Sequence, residues 1–139
     1  MPLTLPSSSV RDSQACPCGR AASYAQCCGR YHRGPLAGQA PDPESLMRSR
    51  YSAFVFDERD YLLATWHRDT RPAVIEAPEA GLKWLGLEVK QVGWKDADTG
   101  WVEFVARSKW GGRAHRLHEV SEFVREEGRW YYTRALNGG

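Results

Sequence analysis

The sequence predicts an α+β fold in which helices come first and a four-stranded antiparallel meander follows. Two observations carry this. Apolar residues between 42 and 66 recur at helical spacing, and from residue 85 onward the period falls to two. Turn-forming segments then divide that later stretch at KDADTG, at Gly111-Gly112 and at Glu127-Gly128. A third observation sets the N-terminal end apart: all four cysteines lie between residues 16 and 28, ahead of the helices. They predict a small metal-binding module attached to the α+β unit. A chain of 139 residues has room for one such domain and its appendage.

Residues 1–14 are rich in Pro and Ser and read as a flexible tail. They lack the basic and apolar regions of a secretory signal. Residues 15–33 form the metal module, with Cys16, Cys18, Cys27 and Cys28 as ligands. Disulfides here would close only tiny loops, and adjacent cysteines bridge poorly. Thiolates in a tetrahedron suit a structural zinc ion, and such sites also accept iron. In CPCG, Pro17 stiffens the knuckle and Gly19 lets the chain curl. Residues 21–28 are expected to make about two helical turns carrying the second sulfur pair, with Gly29 as the helix stop. His32 is close enough in sequence to replace one sulfur. Metal binding of this kind contributes roughly 10–16 kcal/mol and can fold a segment that has almost no core.

Residues 34–43, with three prolines and two glycines, read as a linker. The α+β domain spans 44–136. Its first helix opens at Asp42-Pro43-Glu44, where Asp42 caps, Pro43 suits the first helical position and Glu44 complements the dipole. Met47, Tyr51 and Phe54 share its apolar face. Arg48 and Arg50 sit among them and are expected to pair with acids on the sheet or the second helix, or else to anchor an anion or an acidic partner. The second helix starts at Asp57, presents Tyr61, Leu62, Thr65 and Trp66, and ends within Asp69–Pro72. A third short helix is expected at 73–81. Leu85, Leu87 and Val89 then alternate, and Val92 and Trp94 fall out of phase, which predicts a bulge near Gln91. The remaining strands run through Val102, Phe104 and Ala106, then 115–125, then 129–135.

Charge excludes one class of function. Nineteen basic and seventeen acidic residues give a formal charge of +2, far from a polycation that coats nucleic acid. Four thiolates with one divalent cation would bring the sum to about zero. The basic excess lies in the first 40 residues, at Arg11, Arg20, Arg30 and Arg33. No apolar run approaches the ~20 residues of a membrane span. Clustered reduced cysteines without a signal segment point to the cytoplasm.

The segment CPCGRAASYAQCC resembles the SEC-C motif, the metal-binding tail of the SecA translocation ATPase. LMRSRYSAF at 46–54, DYLLATWH at 60–67 and HEVSEFVREEGRWYY at 118–132 resemble the YchJ family of bacterial proteins. These motifs occur in the family's order over most of residues 15–133. At Arg20-Ala21 the chain departs from the Ser-Gly common in SEC-C motifs, and every ligand remains. The resemblance implies an N-terminal SEC-C zinc module joined to a cone-shaped domain like nuclear transport factor 2, also called cystatin-like. In that fold a curved four-stranded sheet wraps a helix and leaves a pocket. The family brings no reaction that can be carried onto these residues.

Within the expected pocket, the strand at 115–125 places Leu117, Glu119, Ser121 and Phe123 on one face. A carboxylate facing inward is costly unless paired or protonated. Glu119 therefore either makes a buried ion pair or bond to the backbone, or acts with His67 or His115 as a general acid or base on a small ligand. Six tryptophans are expected to fill the core, and any exposed near the turns at Trp94, Trp101 or Trp110 would mark an interface. No nucleophile motif, phosphate loop or dinucleotide fingerprint is present.

The leading expectation is a non-enzymatic, metal-stabilised binding protein, with Arg20, Arg30 and Arg33 as the knot's recognition surface. By resemblance to SecA-like tails its partner would be a chaperone, a ribosome or a nascent chain, with no specific nucleic-acid binding and no membrane. The alternative is a small-molecule binder or an isomerase- or hydrolase-like enzyme using the pocket around Glu119. A third reading is redox or metal sensing by the thiols.

Overall fold

The structure, a computed structural model, describes residues 7–137. Its elements follow in the order α1 (Ser7–Ser13), α2 (Gly29–His32), α3 (Pro43–Val55), α4 (Arg59–Ala64), β1 (Lys83–Asp96), β2 (Thr99–Trp110), β3 (Arg113–Glu126) and β4 (Arg129–Ala135). The strands make one antiparallel sheet in chain order, β1-β2-β3-β4. This is the α+β arrangement that the change of period predicts. Among the described residues, no helix is long and apolar enough to cross a membrane.

α3 begins where its cap residues require. Asp42 Oδ1 accepts the Ser45 backbone N–H at 2.7 Å, and Pro43 occupies the first turn. The helix is buried on two sides. One side, with Met47 and Tyr51, packs against the inner face of the sheet at Val102, Phe104, Ala106 and Phe123. The other side carries Ser45, Ser49 and Ser52, all buried, at positions i, i+4 and i+7. These small side chains leave room for the N-terminal segment to lie directly on the helix.

The sheet matches its sequence pattern closely. β1 shifts register between Val89 and Gln91, as the phase change predicts, and again near each end. Such bulges bend a strand and increase its twist. Gly111-Gly112 and Glu127-Gly128 both take positive φ at both residues, the conformation that closes tight hairpins. The turn expected over 95–100 is shorter, with only Ala97 and Asp98 between β1 and β2.

Four expectations are corrected. Ser7–Ser13, read as part of a flexible tail, is helical; residues 1–6 lie outside the described residues. Arg11 docks this segment, with its guanidinium 4.3 Å from the Phe56 ring centroid and 3.7 Å from Glu58. Residues 73–81 form no helix, and most of them are exposed, so nothing packs against them to hold one. α4 stops at Ala64 rather than within 69–72, because residues 65–67 turn to meet β4. There, Tyr132 N donates to Thr65 O at 2.8 Å and His67 N to Tyr132 O at 2.8 Å. Finally, residues 24–28 are turns rather than helix, and Gly29 starts α2 instead of ending a helix.

Candidate functional site

The knot is built from two tight turns facing each other. Ala15 and Ser23 bridge in antiparallel fashion, with Cys16 N donating to Ala22 O at 2.9 Å and Tyr24 N to Gln14 O at 2.8 Å. Between them the chain reverses at Cys16–Gly19. Gly19 N bonds Cys16 O at 3.3 Å, and Gly19 sits at φ +93, which a residue with a side chain adopts only under strain. This reversal aims Cys16 and Cys18 the same way. The second pair follows a turn anchored on Tyr24, whose carbonyl accepts Cys27 N at 3.0 Å and Gly29 N at 2.8 Å. A Cβ on Gly29 would lie 2.8 Å from that carbonyl, so only glycine permits the approach.

All four cysteines are buried, and their sulfurs lie within 4.8 Å of one another. Cys18 and Cys27 sulfurs are 3.6 Å apart. A tetrahedral ion with metal–sulfur bonds of about 2.3 Å requires sulfurs roughly 3.8 Å apart. The donor set therefore fits one thiophilic ion with little movement. The protonation energetics agree. Hydrogen bonds from the Cys18 and Cys28 thiols hold Cys16 far below the usual thiol range. Burial pushes Cys27 up to about 12, and the bond to Cys16 raises Cys28. Cys27 and Cys28 hold their protons, and removing them from so small a volume needs a cation.

α3 supplies the surroundings of the sulfurs. Ser52 Oγ lies 3.6 Å from Cys16 Sγ, and Arg48 Nη1 donates to Cys18 O at 2.7 Å. Arg20 donates to Ser45 Oγ at 3.2 Å and lies 3.5 Å from Glu44. Phe56 and Leu87 pack against the cysteines. His32 stands outside the sulfur cluster. Its inaccessible ring uses Nδ1 with the Tyr24 hydroxyl and Nε2 with Ser49 O at 2.8 Å. Burial holds its pKa below the ordinary histidine value. Arg30 is exposed, bonding Cys27 O and lying over the Tyr31 ring, and Arg33 pairs with Glu58. Ser45, Ser49 and Ser52 are the residues that sequence reasoning missed; their helical spacing is the signal that marks a second buried face.

The sheet and α3 enclose a cavity of about 320 Å³. Glu119 faces it, as strand alternation predicts, with Oε2 accepting from Ser121 Oγ at 2.5 Å and from Tyr132 OH at 3.2 Å. The histidines expected near Glu119 are elsewhere. His67 bonds Glu126 at 2.8 Å, and His115 stacks on Trp110 at the exposed end of its hairpin. Each is drawn off by a partner distant in sequence or by a neighbouring ring. Neither helix arginine pairs with an acid on the sheet or the second helix among the described residues. Arg48 pairs with Glu44 on its own helix at 2.9 Å, and Arg50 has no carboxylate partner among the described residues. Trp130 is core, Trp66 and Trp84 line the cavity, and Trp94 and Trp110 are exposed.

Comparison with known proteins agrees with both halves. Residues 13–30 match the SEC-C motif, and residues 42–135 match the family described as YchJ, middle NTF2-like domain. A UPF0225 protein of Bordetella parapertussis is 61% identical over 85% of this chain and 89% of its own length. One from Methylibium petroleiphilum is 66% identical over 84% of each. The solution structure of a SEC-C motif containing protein from Rhodopseudomonas palustris superposes with a TM-score of 0.75 at 32% identity, covering 88% of this chain and 97% of that one. The crystal structure of another, from Psychrobacter arcticus, gives 0.73 at 29% identity, covering 90% and 83%.

Proposed function

Since the chain belongs to the YchJ (UPF0225) family and opens with a SEC-C motif, we propose that it is a zinc-stabilised protein-interaction module on a rigid NTF2-like scaffold. The observation that carries the reading is the closed donor set: four buried sulfurs within 4.8 Å of one another. Four protein ligands leave no position for water or substrate, which is the mark of a structural ion rather than a catalytic one. When bound, the ion would supply cohesion and charge neutralisation. Iron would fit the same sulfurs, and zinc is preferred because it brings no redox change to a structural site.

The outward side of the knot supports a recognition role. Arg30 and Arg33 border a hollow with Tyr24, Pro35 and Leu36, and Leu36 is 47% exposed. An apolar side chain beside two arginines, with Asp12 also on the rim, suits a peptide that has both apolar and charged residues. Arg20 is turned instead toward Glu44 and Ser45, so its role is to hold the knot. A chaperone, a ribosomal protein or a nascent chain would meet this description, in the reducing cytoplasm where free thiolates persist.

Metal analysis of protein purified without added metal tests the first half, with about one zinc per chain expected and no reactive thiols. For the second half, Arg30→Glu and Arg33→Glu should abolish recovery of a cross-linked partner while metal content stays unchanged. Full recovery by both variants would overturn the interaction role and leave the metal site standing.

A further inference from the structure

Arg50 is 6% exposed and lies between α3 and the sheet. Its Nη1 is occupied, donating to Leu62 O at 2.8 Å and to Thr65 Oγ1 at 2.7 Å. Both acceptors are neutral, and the described hydrogen bonds engage neither Nε nor Nη2. A buried guanidinium without an ion pair is uncommon, because desolvation must be offset by something. Here the offset is partial: the Tyr132 and Trp66 rings lie 4.8 and 5.3 Å from the guanidinium carbon, and the Glu119 charge in the same cavity favours the cation without bonding to it. Burial pulls Arg50 down to about 10, so it keeps its charge at neutral pH.

A neighbouring side chain also has an unpaired polar atom. Trp66 Nε1 is buried with no hydrogen-bond partner, alone in this among the described side chains. Both residues line the 320 Å³ cavity. Its walls are apolar, formed by Met47, Tyr51, Phe104 and Phe123, and its open rim carries Phe54 and Leu117, which are 41% and 48% exposed. Exposure thus falls from an apolar mouth to the buried Arg50.

We infer that this cavity is a binding site for a small organic carboxylate with an apolar body, its carboxylate taken by the free edge of Arg50 while the body packs along Trp66 and the apolar walls. Guanidinium geometry matches a carboxylate in two-pronged fashion, and the volume suits a ligand of modest size. Glu119 sits in the same cavity and sets an upper limit on affinity. Its charge opposes a second anion, while its Oε2 is held by Ser121 and Tyr132 rather than by Arg50. The ligand site is independent of the metal knot and of any protein partner.

The test uses the full metal-bound chain and matched probes: 2-naphthoate against 2-naphthamide, and heptanoate against heptanamide. Each acid differs from its amide in charge and hardly in shape. Binding is read from the Trp66 indole resonance, identified by its loss in Trp66→Phe. At least one acid should bind about ten-fold more tightly than its amide, the size expected of a charged hydrogen-bonded contact. Arg50→Met should erase that preference, and Glu119→Gln should widen it by relieving repulsion. Equal affinity for acid and amide, or no binding of any probe, would overturn the proposal. So would an acid preference that survives Arg50→Met. Should Arg50→Met fail to fold, Glu119→Gln decides, and an unchanged preference there overturns the proposal.

Discussion

Ser52 touches no ion, yet its hydroxyl is positioned to donate to Cys16 once that sulfur is a thiolate. Groups that bond to ligand atoms typically change metal affinity by roughly 10–100-fold. Ser52→Ala should therefore keep one metal per chain but lose it to a competing chelator about ten-fold more readily. Cys27→Ser should lose tight binding altogether, as seen by metal content after gel filtration. A different pair contributes to acid sensitivity. Glu126 accepts from His67 at 2.8 Å and from Arg68 at 3.1 Å, and the bond to His67 holds its carboxyl below the usual glutamate range. A carboxylate depressed on folding stabilises the protein above its unfolded pKa, near 4.3, and that contribution disappears as pH falls through the lower folded value. Stability measured by denaturant between about pH 5 and pH 3 should fall more steeply in the wild type than in Glu126→Gln, for which this proton uptake is absent.

At the scale of elements, the two helix ends offer contrasting tests. Asp42→Ala removes a cap that bonds Ser45 N at 2.7 Å and should cost about 1 kcal/mol in denaturant titration. Gly29→Ala drives a methyl group to 2.8 Å from Tyr24 O, beneath the second sulfur pair. It should destabilise by roughly 1–3 kcal/mol and weaken metal retention at the same time. These two positions also show what a sequence makes legible. The Asp42-Pro43 start, the bulge beside Gln91 and both glycine-bearing hairpins are local devices, and each was readable from neighbouring residues. The cysteines belong with them, because all four lie within one short stretch. The early end of α4 was not readable, since it depends on Thr65–His67 meeting Tyr132 across the chain. His67 was drawn to Glu126, 59 residues away, by the same crossing. Strand alternation alone puts Glu119 on the cavity side, whereas the lack of a carboxylate partner for Arg50 among the described residues follows from what the fold does not bring near it. Gly29 reads in sequence as a helix stop, whereas a close contact with Tyr24 is what requires glycine there.

In the whole molecule the knot and the scaffold share one helix. α3 gives its serine face to the cysteine turns and its apolar face to the sheet. Arg48 and Ser52 tie the knot's backbone and sulfur to that helix. Removing the metal should thus lower the melting temperature of the sheet itself, in a single transition followed by near-ultraviolet circular dichroism. A sheet transition unmoved by chelation would show that the two halves are energetically separate. The crossing at Tyr132 has a further consequence, which concerns solubility. A four-stranded sheet in chain order exposes the outer edges of its first and last strands, each a template for pairing with other chains. The Thr65–His67 segment occupies main-chain groups of β4 at its middle. β1, at the other edge, is broken by three register shifts and studded with Lys83, Lys90 and Lys95. Neither edge offers a long regular ladder, so a sheet with exposed Leu85, Val92 and Trp94 is guarded against growing into fibrils.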